Sequence, residues 1–309
     1  MARCFVTRRL PGAALDRLSA AHEVVVWPDR LPPSPAELRK RAREAEGLLT
    51  MLTDRIDGEL MDACPRLRAI ANYAVGVDNI DLEAAAARGI PVGNTPDVLT
   101  EATADLAFAL ILAAARRLPE AAGAVRSGEW VTWDPGWLLG HEVHGATLGI
   151  VGMGRVGKAV ARRAGGFDMK VFHTGRGGDG VPLDELLERA DIVSLHAPLT
   201  DATRGMIAAA ALRRMKPTAI LVNTARGGLV DQVALREALE SGAIAAAALD
   251  VTDPEPLPPD APLLQAPNLL ILPHIGSATH TARERMADLA VDNLLAALDG
   301  RPMPYHASP

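Results

Sequence analysis

The chain is poor in aromatic residues, which make up 3% of its 309 positions as four Phe, four Trp and two Tyr. Its core must therefore be built from Ala, Val, Leu and Ile, and each aromatic residue becomes conspicuous. Cysteine is almost absent. Cys4 and Cys64 form neither a metal-ligand spacing nor a disulfide framework, which fits a reducing, cytoplasmic compartment without a bound metal. Positive charge is not in excess, since 32 basic residues stand against 38 acidic ones for a formal net charge of −6. That balance lacks the basic face of a nucleic-acid binder but leaves room for a local basic pocket. Long apolar runs are missing too. The longest, Leu106 to Ala115, is closed by Arg116 and Arg117, which is too short for a bilayer and fits a buried helix. No apolar stretch of the secretory kind follows Met1 to Leu10, so a soluble protein with no membrane or nucleic-acid partner is expected.

What is present is ordinary globular composition, 49% hydrophobic and 23% charged, in a chain long enough for about two domains. Ala2–Thr7, Glu23–Trp27, Gly47–Met51 and Arg68–Ala71 read as short strands, and Pro35–Ala45 as a helix. Asn94-Thr95-Pro96-Asp97 breaks this pattern, and an Ala- and Leu-rich helical stretch follows from Leu99 to Leu118. Arg126 to Gly145 reads as a loop holding Trp130, Trp133 and Trp137. Such a segment serves either as glue to its own chain or as an interface arm to a partner subunit. A second β/α series supplies six strands: Thr147–Val151, Lys170–His173, Ile192–His196, Ala219–Asn223, Ala246–Asp250 and Leu269–Leu272. A last helix runs from Thr279 to Leu298. Strands alternating with helices predict α/β architecture with parallel sheets.

Gly152-Met153-Gly154-Arg155-Val156-Gly157 is a G-x-G-x-x-G sequence that follows a strand and opens a helix, the context of a dinucleotide-binding turn. Gly152 suits the tight turn, Gly154 lets the backbone approach a pyrophosphate, and Gly157 allows close helix–strand packing. The next strand ends in His173-Thr174-Gly175-Arg176, without the acid that binds a ribose 2′-hydroxyl. Thr174 and Arg176, with Arg155 as a second cation, suit a 2′-phosphate, so NADP(H) is the expected cofactor and NAD(H) the alternative. Asp179, in the glycine-rich segment that follows, works against that preference.

Three polar residues follow strand ends in this half: Arg226, Glu255 in the Pro-rich segment, and His274. Ligands of open α/β sheets bind beyond the carboxyl ends of the strands, where all three can converge. At this point the sequence resembles the D-isomer-specific 2-hydroxyacid dehydrogenases, and among them the glyoxylate/hydroxypyruvate reductases. The resemblance is carried by Asn72-Tyr73-Ala74-Val75-Gly76-Val77-Asp78-Asn79-Ile80-Asp81, the glycine loop, Thr174-Gly175-Arg176, Asn223–Gly227, Leu249–Pro258 and Leu272–His280, in family order along the chain.

The resemblance implies two Rossmann-like domains, with the dinucleotide-binding domain (96–281) inserted in a substrate domain made of 1–95 and 282–309, and a homodimer through the cofactor domains. It implies a small 2-keto or 2-hydroxy acid as substrate. Arg226 would bind the substrate carboxylate, His274 would act as general acid and base, and Glu255 would hold His274. The amides of Val75 and Gly76 would meet the carboxylate, Leu52 and Val75 would shape the substrate space, and Trp137 would reach the active site of a partner subunit and set the size of substrate there. The cofactor would be lined by Thr103, residues 152–157, Thr174, Gly175, Arg176, His196, Ala197, Pro198, Thr224, Ala225, Asp250, Gly276 and Ser277. Two alternatives stand beside this reading: an NAD-dependent D-lactate or D-3-phosphoglycerate dehydrogenase, and a dinucleotide-sensing corepressor-type binding module.

Overall fold

The computed structural model describes residues 1–176 and 180–308. The chain divides into two compact units, one of Met1–Leu99 with Ala278–Pro309 and the other of Thr100–Ser277. The first opens with β1 (Arg3–Val6), α1 (Ala14–Ala21), β2 (Glu23–Val26), α2 (Pro35–Ala42), β3 (Gly47–Thr50), α3 (Gly58–Asp62), β4 (Ala69–Asn72), α4 (Leu82–Ala87) and β5 (Val92–Gly93). Its helix starts are set by short polar side chains. Ser34, Asp57 and Asp81 each accept a hydrogen bond from a first-turn amide of α2, α3 and α4, and Pro35 opens α2.

The second unit runs through α5 (Thr100–Ala115), α6 (Leu118–Ser127), β6 (Thr147–Val151), α7 (Arg155–Ala164), β7 (Lys170–Thr174), α8 (Leu183–Arg189) and β8 (Ile192–Leu195). It continues through α9 (Ala209–Arg214), β9 (Ile220–Asn223), α10 (Gln232–Glu240), β10 (Ala246–Leu249) and β11 (Leu269–Ile271). The chain then rejoins the first unit as α11 (His280–Leu298) and β12 (His306–Ala307).

Strands of the second unit lie in the order β11-β10-β9-β8-β6-β7, all parallel. Those of the first lie in the order β12-β5-β4-β3-β1-β2, parallel except that β12 pairs antiparallel with β5. In both units the first strand lies between the second and the third. The strand order therefore reverses at β1 and at β6, and a doubly wound sheet opens a crevice at that point, beyond its carboxyl ends.

Both faces of each sheet are covered, which is why the strands are almost wholly apolar rather than alternating. In the second unit Leu148, Ile150, Val222 and Ala248 meet α5 and α7 through Ala107, Ile111, Ala159 and Val160. Val193, Leu195, Leu221 and Leu249 point the other way, to Leu186, Leu212, Leu235 and Leu239 of α8, α9 and α10. In the first unit α11 lays Met286, Ala290, Val291 and Leu294 on Val6, Leu49 and Ala71. The opposite face packs Leu48 and Ile70 against Leu38, Leu60 and Met61.

One helix differs from the sequence reading. The stretch read as running from Leu99 to Leu118 stops at Ala115, and Arg117 takes a left-handed φ of 52°. Pro119 cannot continue α5 but suits the first turn of a new helix, so α6 runs on to Ser127 and ends at Gly128 with φ 78°. Among the described residues no helix is long and apolar enough to cross a membrane.

Candidate active site

The glycine loop joins β6 to α7 at the reversal of the second sheet. Gly152 has φ +97°, and a Cβ there would lie 2.7 Å from the His196 carbonyl carbon. A Cβ on Gly157 would lie 2.2 Å from the Gly152 carbonyl oxygen, so helix and strand can approach this closely only with glycine. At Gly154, the residue preceding α7, a Cβ would meet nothing within 4 Å. The α7 N-terminus has no side-chain cap and no acid in its first turn. Open space, uncapped amides and the positive end of a helix together fit a pyrophosphate. Met153, Arg155 and Val156 lie within this turn and the first residues of α7.

Thr174, at the end of β7, is tied to the loop by a 2.9 Å bond from the Gly152 amide to its carbonyl. Gly175 and Arg176 follow and are exposed. Asp179, with Gly177 and Gly178, lies outside the described residues. On the other side His196 follows β8 and donates its amide to Val151 at 2.8 Å. Its ring meets Ser194 Oγ at 2.8 Å through Nε2, and burial pushes its pKa down to about 4, so the ring is neutral. Ala197 is buried beside it, Pro198 is exposed, and Thr224 Oγ1 stands 3.5 Å from the His196 Nδ1.

Arg226, Glu255 and His274 leave from the ends of β9, β10 and β11, which are hydrogen-bonded neighbours in the sheet. Asn223 shapes the first exit: its Nδ2 donates to the Arg226 carbonyl at 2.9 Å, and its Oδ1 accepts the Ala225 amide at 3.0 Å. The next residue, Gly227, packs so closely that a Cβ would fall 2.0 Å from the Thr252 carbonyl carbon. The loop carrying Arg226 thus rests directly on the loop carrying Glu255. Glu255 Oε1 meets His274 Nδ1 at 2.5 Å, with the two side chains 29% and 23% exposed. His274 is held in a left-handed conformation, φ 54°, with its amide on the Asp250 carbonyl at 2.9 Å.

Asp250 is the anchor of that turn. Its carboxylate accepts the amides of Ile275 at 2.8 Å and Gly276 at 2.7 Å. Burial raises its pKa, while those two amides and the nearby His274 pull the other way. Thr103 of α5 donates to the Gly276 carbonyl at 3.3 Å, and Ser277 follows, half-buried. Trp137 lies in the irregular segment after α6 and is 37% exposed. Among the described residues no group of three or more His, Cys, Asp or Glu is placed to hold a metal ion. Of the expected residues in the first unit, Leu52 follows β3 and is half-buried, while Val75 and Gly76 follow β4, Val75 exposed and Gly76 half-buried.

Asn223 was not singled out by the sequence reading, although one signal was available: it is the only polar residue of β9, Ile-Leu-Val-Asn, and it sits at the carboxyl end.

Comparison with known proteins agrees with this geometry. The family profile described as D-isomer specific 2-hydroxyacid dehydrogenase, NAD binding domain, matches residues 108–276. The glyoxylate reductase of Korarchaeum cryptofilum is 52% identical over 305 residues, covering 95% of this chain and 92% of that protein. A crystal structure of the TT0316 protein from Thermus thermophilus shares 54% identity with a TM-score of 0.93, covering 99% of both chains. An NADPH-dependent glyoxylate/hydroxypyruvate reductase from Sinorhizobium meliloti, solved with NADP and malonate, shares 36% identity with a TM-score of 0.85, covering 99% of this chain and 96% of that one. The chain belongs to the D-isomer-specific 2-hydroxyacid dehydrogenase family. It is an NAD(P)-dependent enzyme of that family, with a nicotinamide dinucleotide as cofactor.

Proposed function

We propose that the protein reduces a small 2-keto acid, glyoxylate or hydroxypyruvate, to the 2-hydroxy acid, with NADPH preferred. The observation that carries the chemistry is the contact between Glu255 Oε1 and His274 Nδ1. It commits Nδ1 to the carboxylate and leaves Nε2 as the nitrogen that exchanges a proton with substrate. A reduced nicotinamide dinucleotide, held by its pyrophosphate at the glycine loop and the α7 N-terminus, would supply the hydride that C2 of the keto acid takes up. His274 Nε2–H gives its proton to the oxygen that becomes the hydroxyl, and in the reverse direction takes it back. Arg226 binds the carboxylate and polarises the keto oxygen, a task that suits a planar fork of donors. The amides of Val75 and Gly76 are further donors to that carboxylate, Leu52 limits the size of acid accepted, and Trp137 does so from a partner subunit. Thr103, Ala197, Pro198, Thr224, Ala225, Asp250, Gly276 and Ser277 line the cofactor.

The substrate class is supported by the names of the relatives above. NADPH preference is supported by the half-buried Thr174 at the end of β7, whose carbonyl is bonded to the glycine loop, and by the exposed Gly175 and Arg176 that follow it. We also infer a homodimer through the second unit, in which the exposed apolar residues after α6, Trp130, Val131, Trp133 and Leu139, would be covered.

The test is the steady-state oxidation of NADPH and of NADH with glyoxylate, hydroxypyruvate and pyruvate, compared as kcat/KM. NADPH preference with glyoxylate or hydroxypyruvate is expected. NADH preference with pyruvate would move the assignment to an NAD-dependent D-lactate type of enzyme, and no turnover with any pair would sink the reductase reading.

A further inference from the structure

The first unit repeats the strand order of the second, so it too has a crevice at its reversal point, beyond the carboxyl ends of β1 and β3. Polar side chains are concentrated there. Thr7, Thr50, Asp54 and Asn72 are all buried, and they come from three separate stretches of chain, after β1, at and just after the end of β3, and at the end of β4. Asp54 Oδ2 accepts the Thr7 hydroxyl and, at 2.8 Å, the Met51 amide. Asn79 Nδ2 donates to the carbonyls of Met51 at 3.0 Å and Asp54 at 2.9 Å. Asn79 Oδ1 accepts from Asn72 Nδ2 at 3.0 Å. Asn72 Nδ2 also donates to the Gly76 carbonyl at 2.8 Å, and its Oδ1 accepts the Thr50 hydroxyl at 3.0 Å.

The effect on the turn after β4 follows from peptide geometry. The Ala74 carbonyl accepts the Thr95 amide at 2.9 Å, the Val75 carbonyl accepts Asn94 Nδ2 at 2.8 Å, and the Gly76 carbonyl accepts Asn72. In a trans peptide the carbonyl and the next N–H point in opposite directions. Each carbonyl engaged in this way turns the amide that follows it, of Val75, Gly76 and Val77 in turn, away from that carbonyl's partner. Among the described residues of this unit, the amides of Val75 and Gly76 have no acceptor. Successive free amides of this kind form an anion-binding concavity.

We propose that Asn79, working with Asn72, is a positioning residue that fixes this amide pair and the Met51–Asp54 loop carrying Leu52 to one buried scaffold, so that substrate carboxylate binding depends on it. The inference rests on the reading that the carboxylate meets Val75 and Gly76. Asn79 suits the task because a carboxamide offers two donors and an acceptor at once, which joins two loops through one side chain. Asp54 Oδ1 is buried without a partner, so the two loops depend on the remaining bonds, and removing Asn79, which joins them, loosens both.

The test compares wild type, Asn79→Ala and the shape-conserving Thr50→Val, all with saturating NADPH. The readouts are kcat and KM for glyoxylate, the inhibition constant of oxalate as a carboxylate ligand that cannot be reduced, KM for NADPH, and Tm. Asn79→Ala is expected to raise the oxalate constant and the glyoxylate KM by about tenfold, with KM for NADPH within about twofold. Thr50→Val, which removes the shorter of the two bonds to Asn72 Oδ1 and leaves the 3.4 Å bond from Asn79 Nδ2, is expected to raise both by a smaller factor, roughly two- to fivefold. If Tm falls while oxalate and glyoxylate constants stay within about twofold, the network is merely structural and the proposal is overturned. Thr50→Val alone decides the matter should Asn79→Ala fail to fold. Failure of oxalate to compete with glyoxylate in the wild type would instead remove the carboxylate reading, and the proposal with it.

Discussion

Glu255 Oε1 and His274 Nδ1 meet at 2.5 Å although nineteen residues separate them in sequence. The contact depends on two neighbouring parallel strands, β10 and β11, that release their chains at the same edge of the sheet. His274 is then fixed from behind by Asp250, whose carbonyl and carboxylate hold three consecutive amides, those of His274, Ile275 and Gly276. A left-handed backbone at a residue with a Cβ costs on the order of 1–3 kcal/mol and persists only where its surroundings impose it. Here the surroundings are the three bonds to Asp250, and what they secure is the direction of the imidazole.

Replacing either partner should separate proton transfer from binding. His274→Gln is expected to lower kcat by roughly 10²- to 10⁴-fold while the dissociation constant for NADPH stays unchanged. Glu255→Gln keeps the shape and still accepts from Nδ1, but it cannot balance an imidazolium. A smaller loss in kcat, roughly tenfold or more, is expected. Stopped-flow reduction and fluorescence titration of the cofactor would check both, and unchanged kcat in His274→Gln would refute the assignment.

Arg226→Lys tests whether geometry or charge alone matters at the end of β9. Lysine keeps the charge but not the planar fork, so an expected loss of roughly 10- to 100-fold in kcat/KM for glyoxylate would report the missing paired bonds. The Asn223 bonds run to the backbone of residues 225 and 226 and should survive the change, so circular dichroism and Tm should stay close to wild type.

Arg176 stands exposed after β7, beside the loop that fits the pyrophosphate. Arg176→Ala should raise KM for NADPH by about tenfold and leave KM for NADH within about twofold, because only the former carries the 2′-phosphate that the guanidinium would meet. Equal changes for both cofactors would place Arg176 outside the recognition of the 2′ group.

Much of the second unit was legible in the sequence because its signals are local. The glycine loop sits between a strand and a helix, and Arg226, Glu255 and His274 each follow a strand end. The apolar strands themselves announced a sheet covered on both faces. Other features were not legible because nothing nearby in sequence marks them. Arg117 is a left-handed residue that is not glycine, so the break between α5 and α6 left no glycine signature. β12 has two residues and exists only because β5 offers it an edge. Thr7 reads in sequence only as the end of a strand, and Asn72 and Asn79 only as members of the family-like segment; the reversal of strand order at β1 is what brings them, with Asp54, to one buried cluster. Asp250 is expected from the resemblance to line the cofactor, but nothing in the sequence marks the bonds that its carboxylate accepts from the Ile275 and Gly276 amides.

Acid stability should report on His196. Burial lowers its pKa to about 4 from an ordinary 6.5, so the folded protein keeps it neutral over a range in which the unfolded chain protonates it. Between those two values the unfolded state binds more protons, and stability rises with pH. The contribution is therefore fully present above the unfolded value and is lost as pH falls toward the folded one. At one unit of pKa per 1.36 kcal/mol it amounts to no more than about 3 kcal/mol, and the ring's partial solvent contact reduces it further. Urea unfolding at about pH 7 and about pH 4.5 would measure it, with His196→Asn as the comparison. The wild type should lose on the order of 2 kcal/mol more on acidification than the variant, which has no proton to gain. Equal losses in the two proteins would mean that the imidazole takes up its proton in the folded state as readily as in the unfolded chain, and that its bond to Ser194 does not depend on a neutral ring.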